Sequence, residues 1–391
     1  MRVYFAPCGV GLGHAGRSIP LAKRLVDEGN EVLFSTYDDA VSFVRHEGFP
    51  VVRAPRIGFV VKPDGSVDFR ATTANPGPFA TFTILRQISA EITYMKAFRP
   101  DVVLSDTRAS SVLAARLLGI PRLVMLNQYF VIIPRRRRFL RLARFADAGI
   151  LTIIGRIWTM GSEILIPDLP EPYTISAGNL RIPQRRHRKV RLIGPILPVH
   201  PESLPDKERL RAKLGCEGEA PLIFAPISGS VREKAYFSGI LQRLMKTLPG
   251  RYRAVMTLGY PGTAKSAKHG NLTVLNWVPN RYEFLKACDL VVSRSGHGTL
   301  LQSLCYGKPL LLVPTPRHTE QLNNAARAVK LGVAQMIEQE NLTHETLTQS
   351  LDEMTTNDEY TRRAETIQRH VSRSDAIETA VQALEKTART G

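Results

Sequence analysis

Two Rossmann-like, doubly wound α/β domains in tandem are what this sequence predicts, and three observations predict them. Short continuous apolar runs, among them Val3-Tyr4-Phe5, Val102-Val103-Leu104 and Leu310-Leu311-Leu312-Val313, alternate with stretches of helical period. Parallel sheets covered on both faces give that pattern. Glycine-rich turns follow several of the runs. The length of 391 residues is too great for one core and suits two domains of roughly 150 to 200 residues.

In chain order, the strand at 3–5 leads into a turn holding Gly9, Gly11, Gly13 and Gly16. A helix follows with Ile19, Ala22, Leu25 and Val26 on one face, and Gly29 stands where a C-cap glycine belongs. Residues 31–35 form the next strand and 41–46 a helix before Gly48. The rhythm returns with a strand at 102–104, a helix over 110–118 and a strand at 123–125. Residues 181–200, rich in Arg and Pro, read as the interdomain linker because no helical period crosses them. Beyond it come strands at 222–225, 254–256, 272–275, 290–292 and 310–313, with helices over 233–248, from Thr299 and from Glu320. The tail, 359–389, is helical by period. The expected division is 1–193, 194–358 and a helical tail over 359–391.

Ordinary composition, 43% hydrophobic and 23% charged, excludes a disordered or fibrous chain. A net charge of +18 calls for something negative: nucleic acid, an anionic membrane face or a phosphorylated small molecule. Cys8, Cys216, Cys288 and Cys305 form no CxxC pair, so neither a disulfide framework nor a zinc site is expected, and a reducing, cytoplasmic setting fits. The first residues reach Pro7 after four apolar positions, as a buried strand does and a signal peptide does not. Arg156 and Glu163 interrupt the most apolar stretch, 150–166, so no membrane span is expected there.

Open parallel sheets bind ligands beyond the carboxyl ends of their strands. The first such end holds Gly11-Leu12-Gly13-His14, out of register for a dinucleotide fingerprint and with Ser35-Thr36-Tyr37 where an acidic ribose partner would stand. His14 there suits a general base facing a cleft, or simply a helix-terminal histidine bonded to backbone. Asp106 ends the strand at 102–104 on the same sheet edge; it suits a partner for the imidazole or a helix cap, and the two are compatible. In the second half, Gly229 and Ser230 open a helix as phosphate-holding loops do. Trp277, ahead of Val278 and Pro279, is placed to stack on a base or to fill a core. Arg294-Ser295-Gly296-His297-Gly298-Thr299 repeats the strand, loop and helix arrangement, with Gln302 one turn on and Glu320-Gln321 after another strand.

This C-terminal string resembles the donor-binding signature of the GT-B glycosyltransferases, the group of MurG and the UDP-glucuronosyltransferases. The matching residues are Trp277, Pro279, Ser295 to Thr299, Gly307-Lys308-Pro309, Pro314, Glu320-Gln321 and Asn324-Ala325; Gly11 to His14 and Pro100 to Asp106 match at the N-terminus. The resemblance implies a GT-B fold, with two domains facing a central cleft and a C-terminal helix packed back on the first. It implies a UDP-sugar donor on the second domain: Val278 near the base, and Gly229, Ser230, Ser295, Gly296, His297 and Gly298 at the diphosphate. Gln302, where relatives carry Glu, would meet the ribose, and Glu320 with Gln321 the sugar. His14, oriented by Asp106 beside Gly11 and Gly13, would deprotonate the acceptor hydroxyl, and configuration would invert. Amides, helix dipoles and Arg294 would stabilise the leaving diphosphate without metal or other cofactor, in keeping with the absence of an Asp-x-Asp triplet.

Arg135, Arg136, Arg137 and Arg138 precede Phe139, Leu140, Leu142 and Phe145, a basic amphipathic segment of the kind that lies on an anionic membrane; a solvated charged face has the same composition. Trp158, Ile164 and Leu165 would extend its apolar side, and 185–189 is a second basic cluster. A lipid-linked acceptor at the cytoplasmic face of a membrane accords with the resemblance. Two rivals remain: a nucleic-acid binder, for which no RNP pair, helix-turn-helix or zinc knuckle is present, and a GT-B nucleotide-sugar epimerase, which needs no acceptor.

Overall fold

The computed structural model describes residues 1–56, 78–129, 154–180, 182, 184–260, 265–371 and 375–390. The first sheet is built from β1 (Arg2–Pro7), β2 (Glu31–Thr36), β3 (Val51–Arg53), β4 (Val102–Asp106), β5 (Arg122–Met125), β6 (Ile164–Ile166) and β7 (Val190–Leu192). All its strands are parallel, in the order β3-β2-β1-β4-β5-β6-β7. The second holds β8 (Leu222–Pro226), β9 (Arg253–Thr257), β10 (Ser266–His269), β11 (Leu272–Leu275), β12 (Leu290–Ser293), β13 (Leu310–Leu312) and β14 (Ala334–Met336). Its order is β10-β11-β9-β8-β12-β13-β14, parallel except for the edge strand β10.

Alternate residues of each central strand feed two cores, which is why the runs read as continuously apolar. From β1, Val3 and Phe5 pack with Val102 and Leu104, whereas Tyr4 and Ala6 pack with Val103 on the other face. From β12, Val291 goes to one side and Val292 to the other. Helices α1 (Gly13–Asp27), α2 (Asp39–His46), α3 (Pro78–Phe98) and α4 (Ala109–Leu117) flank the first sheet. A short turn, α5 (Ala177–Leu180), and α6 (Lys207–Lys213) precede those of the second: α7 (Val231–Met245), α8 (Arg281–Ala287), α9 (His297–Cys305), α10 (Thr319–Lys330) and α11 (His344–Thr356).

The tail is two helices, α12 (Glu359–Val371) and α13 (Ala376–Arg389). The latter buries Ala376, Ala380, Val381, Ala383 and Leu384 in the core of the first domain, and Glu378 pairs with Arg24 at 3.1 Å. The chain thus crosses back to its beginning.

Two expectations are corrected. The segment 181–200 is not wholly linker, because Val190–Leu192 hydrogen-bonds to β6 as the last strand of the first sheet. Ile193 and Ile196 then enter the first core and Leu197 the second, so the crossing is anchored at both ends. Trp158, Ile164 and Leu165 do not extend a membrane face: all three are buried, Trp158 and Ile164 against Val124 and Leu126, and Leu165 in the opposite core. No helix among the described residues is long and apolar enough to cross a membrane.

Candidate functional site

Strand order reverses between β1 and β4 in the first sheet and between β8 and β12 in the second, and such switch points open a crevice at the strand ends. The sequence places its unusual residues at these four ends. Pro7 is in register with Asp106, so the β1 loop and the end of β4 lie side by side. The loop turns tightly: a Cβ on Gly9 would stand 2.1 Å from the Tyr37 carbonyl oxygen, and Gly11 has φ +69°. That turn starts α1 with His14 in its first turn.

His14 Nδ1 lies 2.8 Å from Asp106 Oδ1. Asp106 is fully buried and also accepts from Arg17 Nε at 2.6 Å, from Arg17 Nη2 and from Thr107 Oγ1 at 3.1 Å. Burial alone would raise its carboxyl; the charges of Arg17 and then His14 outweigh that and hold it well below the usual carboxylate range. Arg17 is not among the expected site residues, although its spacing three after His14 on one helix face was a signal for it. Asn127, just past β5, was also missed; it accepts from Arg17 Nη2 at 3.2 Å and donates to Glu320 Oε1 at 2.8 Å. Glu320 belongs to α10 of the second sheet's domain, so a side-chain bridge spans the crevice.

The two domains meet closely here. A Cβ on Gly11 would stand 3.5 Å from the Gly229 carbonyl carbon. Below this contact, Asn324 Oδ1 accepts from Asn179 Nδ2 at 2.8 Å, and Arg327 Nε donates to the Thr174 carbonyl at 3.0 Å. Trp277 sits partly buried against the first domain's core, its ring edge-on to Phe43 and to His46, each centroid 6.4 Å away. Val278 packs on the second domain's core.

The two glycine loops of the second domain differ. At the start of α7, Ser230 and Glu233 form a capping box, and the Glu233 carboxylate accepts from Ser230 N at 3.4 Å, from Gln321 Nε2 at 3.0 Å and from Thr315 Oγ1. A carboxylate therefore already occupies that helix N-terminus. The start of α9 carries no side-chain cap and no acidic residue in its first turn, and Gly298 is exposed there. Its macrodipole and first amides are open to an anion.

Several expected donor side chains are engaged inside the protein. Ser295 Oγ donates to the Gln321 carbonyl at 2.6 Å, and Gln321 Oε1 accepts from Thr315 N at 2.8 Å. Thr299 is buried. His297 is buried with Nε2 3.1 Å from Asp168 Oδ2, a carboxylate that also takes the amides of Leu169, Ile175 and Ser176. Burial would raise the Asp168 carboxyl, and His297 with the Ser176 bonds lowers it instead. Arg294 is corrected: its guanidinium stacks 3.9 Å over Phe237 and donates to the Val313 carbonyl at 3.0 Å and to Gln339 at 2.6 Å, so it is turned into the core, away from a leaving group. Burial pulls it down to about 10, still cationic at neutral pH. Gln302 is half-buried and its Oε1 accepts from Arg281 of α8. The basic segment Arg135 to Arg138 with Phe139 lies outside the described residues.

Comparison with known proteins agrees with this architecture. Residues 1–143 match the family model described as glycosyl transferase family 1, and residues 250–380 match the glycosyltransferase family 28 C-terminal domain. A Methanosarcina acetivorans protein described as an uncharacterized glycosyltransferase is 26% identical over 397 residues, covering 99% of this chain and 98% of its own. The UDP-N-acetylglucosamine–N-acetylmuramyl-(pentapeptide) pyrophosphoryl-undecaprenol N-acetylglucosamine transferase of Desulforamulus reducens is 27% identical over 310 residues, 75% of each chain. Among solved structures, spinosyn rhamnosyltransferase complexed with thymidine diphosphate superposes with a TM-score of 0.67 at 18% identity, covering 98% of this chain and 100% of that one. The chain is a glycosyltransferase of the GT-B type, resembling MurG and the UDP-glycosyltransferases.

Proposed function

We propose that this enzyme transfers a hexosyl or N-acetylhexosaminyl group from a UDP-sugar to a hydroxyl of a lipid-linked acceptor, with inversion at the anomeric carbon. The observation that carries the reading is the His14–Asp106 pair at the mouth of the first domain, facing the second domain's loops across a crevice that Asn127 and Glu320 bridge. His14, its Nδ1 proton held by Asp106, takes the acceptor proton on Nε2 as the hydroxyl attacks. The departing diphosphate rests on the uncapped N-terminus of α9, at Ser295, Gly296, His297 and Gly298, through backbone amides and the helix dipole. Gly229 and Ser230 close over it, and no metal is called for. Glu320 takes sugar hydroxyls, Gln302 the ribose, and Val278 with Trp277 the neighbourhood of the base.

The name of the Desulforamulus relative supports a UDP-sugar and a polyprenyl-linked acceptor. The net charge of +18 and the run Arg135 to Arg138 with Phe139 support attachment to the cytoplasmic face of an anionic membrane. Titration calorimetry with UDP, TDP, GDP and ADP tests the donor side: UDP should bind best, and binding should be lost in Gly298→Asp, which puts a carboxylate at the α9 N-terminus. Equal binding of all four, or a Gly298→Asp protein that binds like wild type, would sink this placement. Nucleotide release that needs an acceptor separates a transferase from an epimerase.

A further inference from the structure

His14 Nδ1 has two neighbours at hydrogen-bond distance, Asp106 Oδ1 at 2.8 Å and Arg17 Nη2 at 3.0 Å. One ring nitrogen cannot serve both. The carboxylate accepts and needs an N–H on Nδ1; the guanidinium only donates and needs its lone pair. In the first tautomer Nε2 is free to take a proton, and in the second it already carries one. Whether His14 can act as a base therefore depends on where Arg17 spends the hydrogens of Nη2.

That nitrogen carries two hydrogens. One goes to Asp106 Oδ1 and the other to Asn127 Oδ1, 3.2 Å from the nitrogen, while Nε–H goes to Asp106 Oδ2. With both Nη2 hydrogens taken, none remains for His14. The Asn127 amide is 4% exposed, and its orientation is fixed from the other side, because Nδ2 donates to Glu320 Oε1 at 2.8 Å. A flipped amide would set oxygen against a carboxylate and N–H₂ against a guanidinium. Glu320 is 193 residues away in sequence and on the facing domain.

We infer that Asn127 is a positioning residue: it draws Arg17 off the His14 ring, keeps His14 in the tautomer with a free Nε2, and makes that state depend on Glu320 and thus on closure of the crevice. Removing the acceptor at 127 frees one Nη2 hydrogen for His14 Nδ1 and moves the ring proton to Nε2. In an open crevice the amide loses its orienting partner, so the base is armed only when the two domains are together. The inference deepens the reading of His14 as the general base and rests on it.

The test is ¹⁵N NMR of the full-length, ligand-free protein with ¹⁵N-labelled histidine, at a pH where the ring is neutral, with His14 assigned from the signals lost in His14→Gln. Wild type should show a protonated Nδ1 and an unprotonated Nε2. In Asn127→Leu the Nε2–H form should become the major one; Asn127→Ala serves if the Leu variant fails to fold by circular dichroism. The double variant Asn127→Asp/Glu320→Gln keeps an acceptor for Arg17 and a hydrogen bond on the far side, with the new amide at position 320 now the donor, so it should keep the wild-type tautomer. An Nε2–H tautomer in wild type, or the same tautomer in Asn127→Leu as in wild type, overturns the inference. Since the readout is independent of turnover, an active His14→Gln enzyme would defeat the base reading without touching this result.

Discussion

Replacing Asp106 by Asn removes one charge from a site largely closed to solvent. The carboxylate is fully buried, and the Arg17 side chain beside it is 12% exposed. Its two oxygens serve Arg17 Nε, Arg17 Nη2, His14 and Thr107. An Asn side chain offers one acceptor oxygen and turns an N–H₂ toward donors, so at least one guanidinium hydrogen is left facing another hydrogen. Removing one member of a buried pair costs about 3–5 kcal/mol. The slight exposure of Arg17 places this case near the lower end. At ~2–4 °C per kcal/mol for a domain of this size, Asp106→Asn should melt ~6–12 °C below wild type at neutral pH. The pH dependence has a definite sign. A carboxyl held below its unfolded value contributes stability that is complete above about pH 4 and is lost as pH falls through the folded value. The gap between the two proteins, followed by circular dichroism melts, should therefore narrow as pH drops below ~4. Arg17→Met in the Asp106→Asn background should cost less than in wild type, since the charge it removes has already lost its partner. A variant within ~0.5 kcal/mol of wild type at neutral pH, the range of an ordinary surface change, or a gap that widens on acidification, would refute the reasoning.

Gly9→Ala should lose at least ~1–3 kcal/mol in urea denaturation, because the added Cβ meets a backbone carbonyl at 2.1 Å that cannot swing aside; an unchanged midpoint would contradict the close approach. Burial pushes the Cys288 and Cys305 thiols up to about 12, so neither should be alkylated by iodoacetamide in native protein at mildly alkaline pH, and intact mass should show labelling at these two positions only after denaturation. Changing Arg135, Arg136, Arg137 and Arg138 together to Ser should weaken sedimentation with phosphatidylserine vesicles, at about 1 kcal/mol per arginine, while UDP binding is kept. Unaltered vesicle affinity at low salt would return the run to a solvated face.

The fold was legible because its signals are local. Each apolar run between glycine turns is a strand whose two faces are both covered, and Val3 to Phe5 or Leu310 to Leu312 reads the same in the chain as in the sheet. Short or polar strands were not: β10, Ser266–His269, is an exposed edge, and β7 hides in an Arg-rich stretch. That His14 and Asp106 meet was legible from their places at strand ends, since a doubly wound topology brings Pro7 beside Asp106. Arg17, Asn127 and Glu233 were not, because what they do depends on partners 89, 193 and 82 residues away. Arg294 misled for the same reason. A cationic side chain in a glycine loop reads as a ligand for phosphate, yet Phe237, supplied by a distant segment, draws this one inward, and the His297 ring lies against Asp168, from the segment after β6. Backbone amides, which carry no residue letter, are what the α9 loop has left to offer.

Whether His14 is the base is tested most directly by the turnover of His14→Ala with a polyprenyl-diphosphate-linked sugar acceptor and a UDP-sugar. Turnover should fall by roughly 10²- to 10⁴-fold, the worth of a positioned acid–base group, while the Kd for UDP stays at the wild-type value because the proposed nucleotide site is on the facing domain. A His14→Ala enzyme that keeps wild-type turnover would contradict the mechanism and leave the GT-B fold standing.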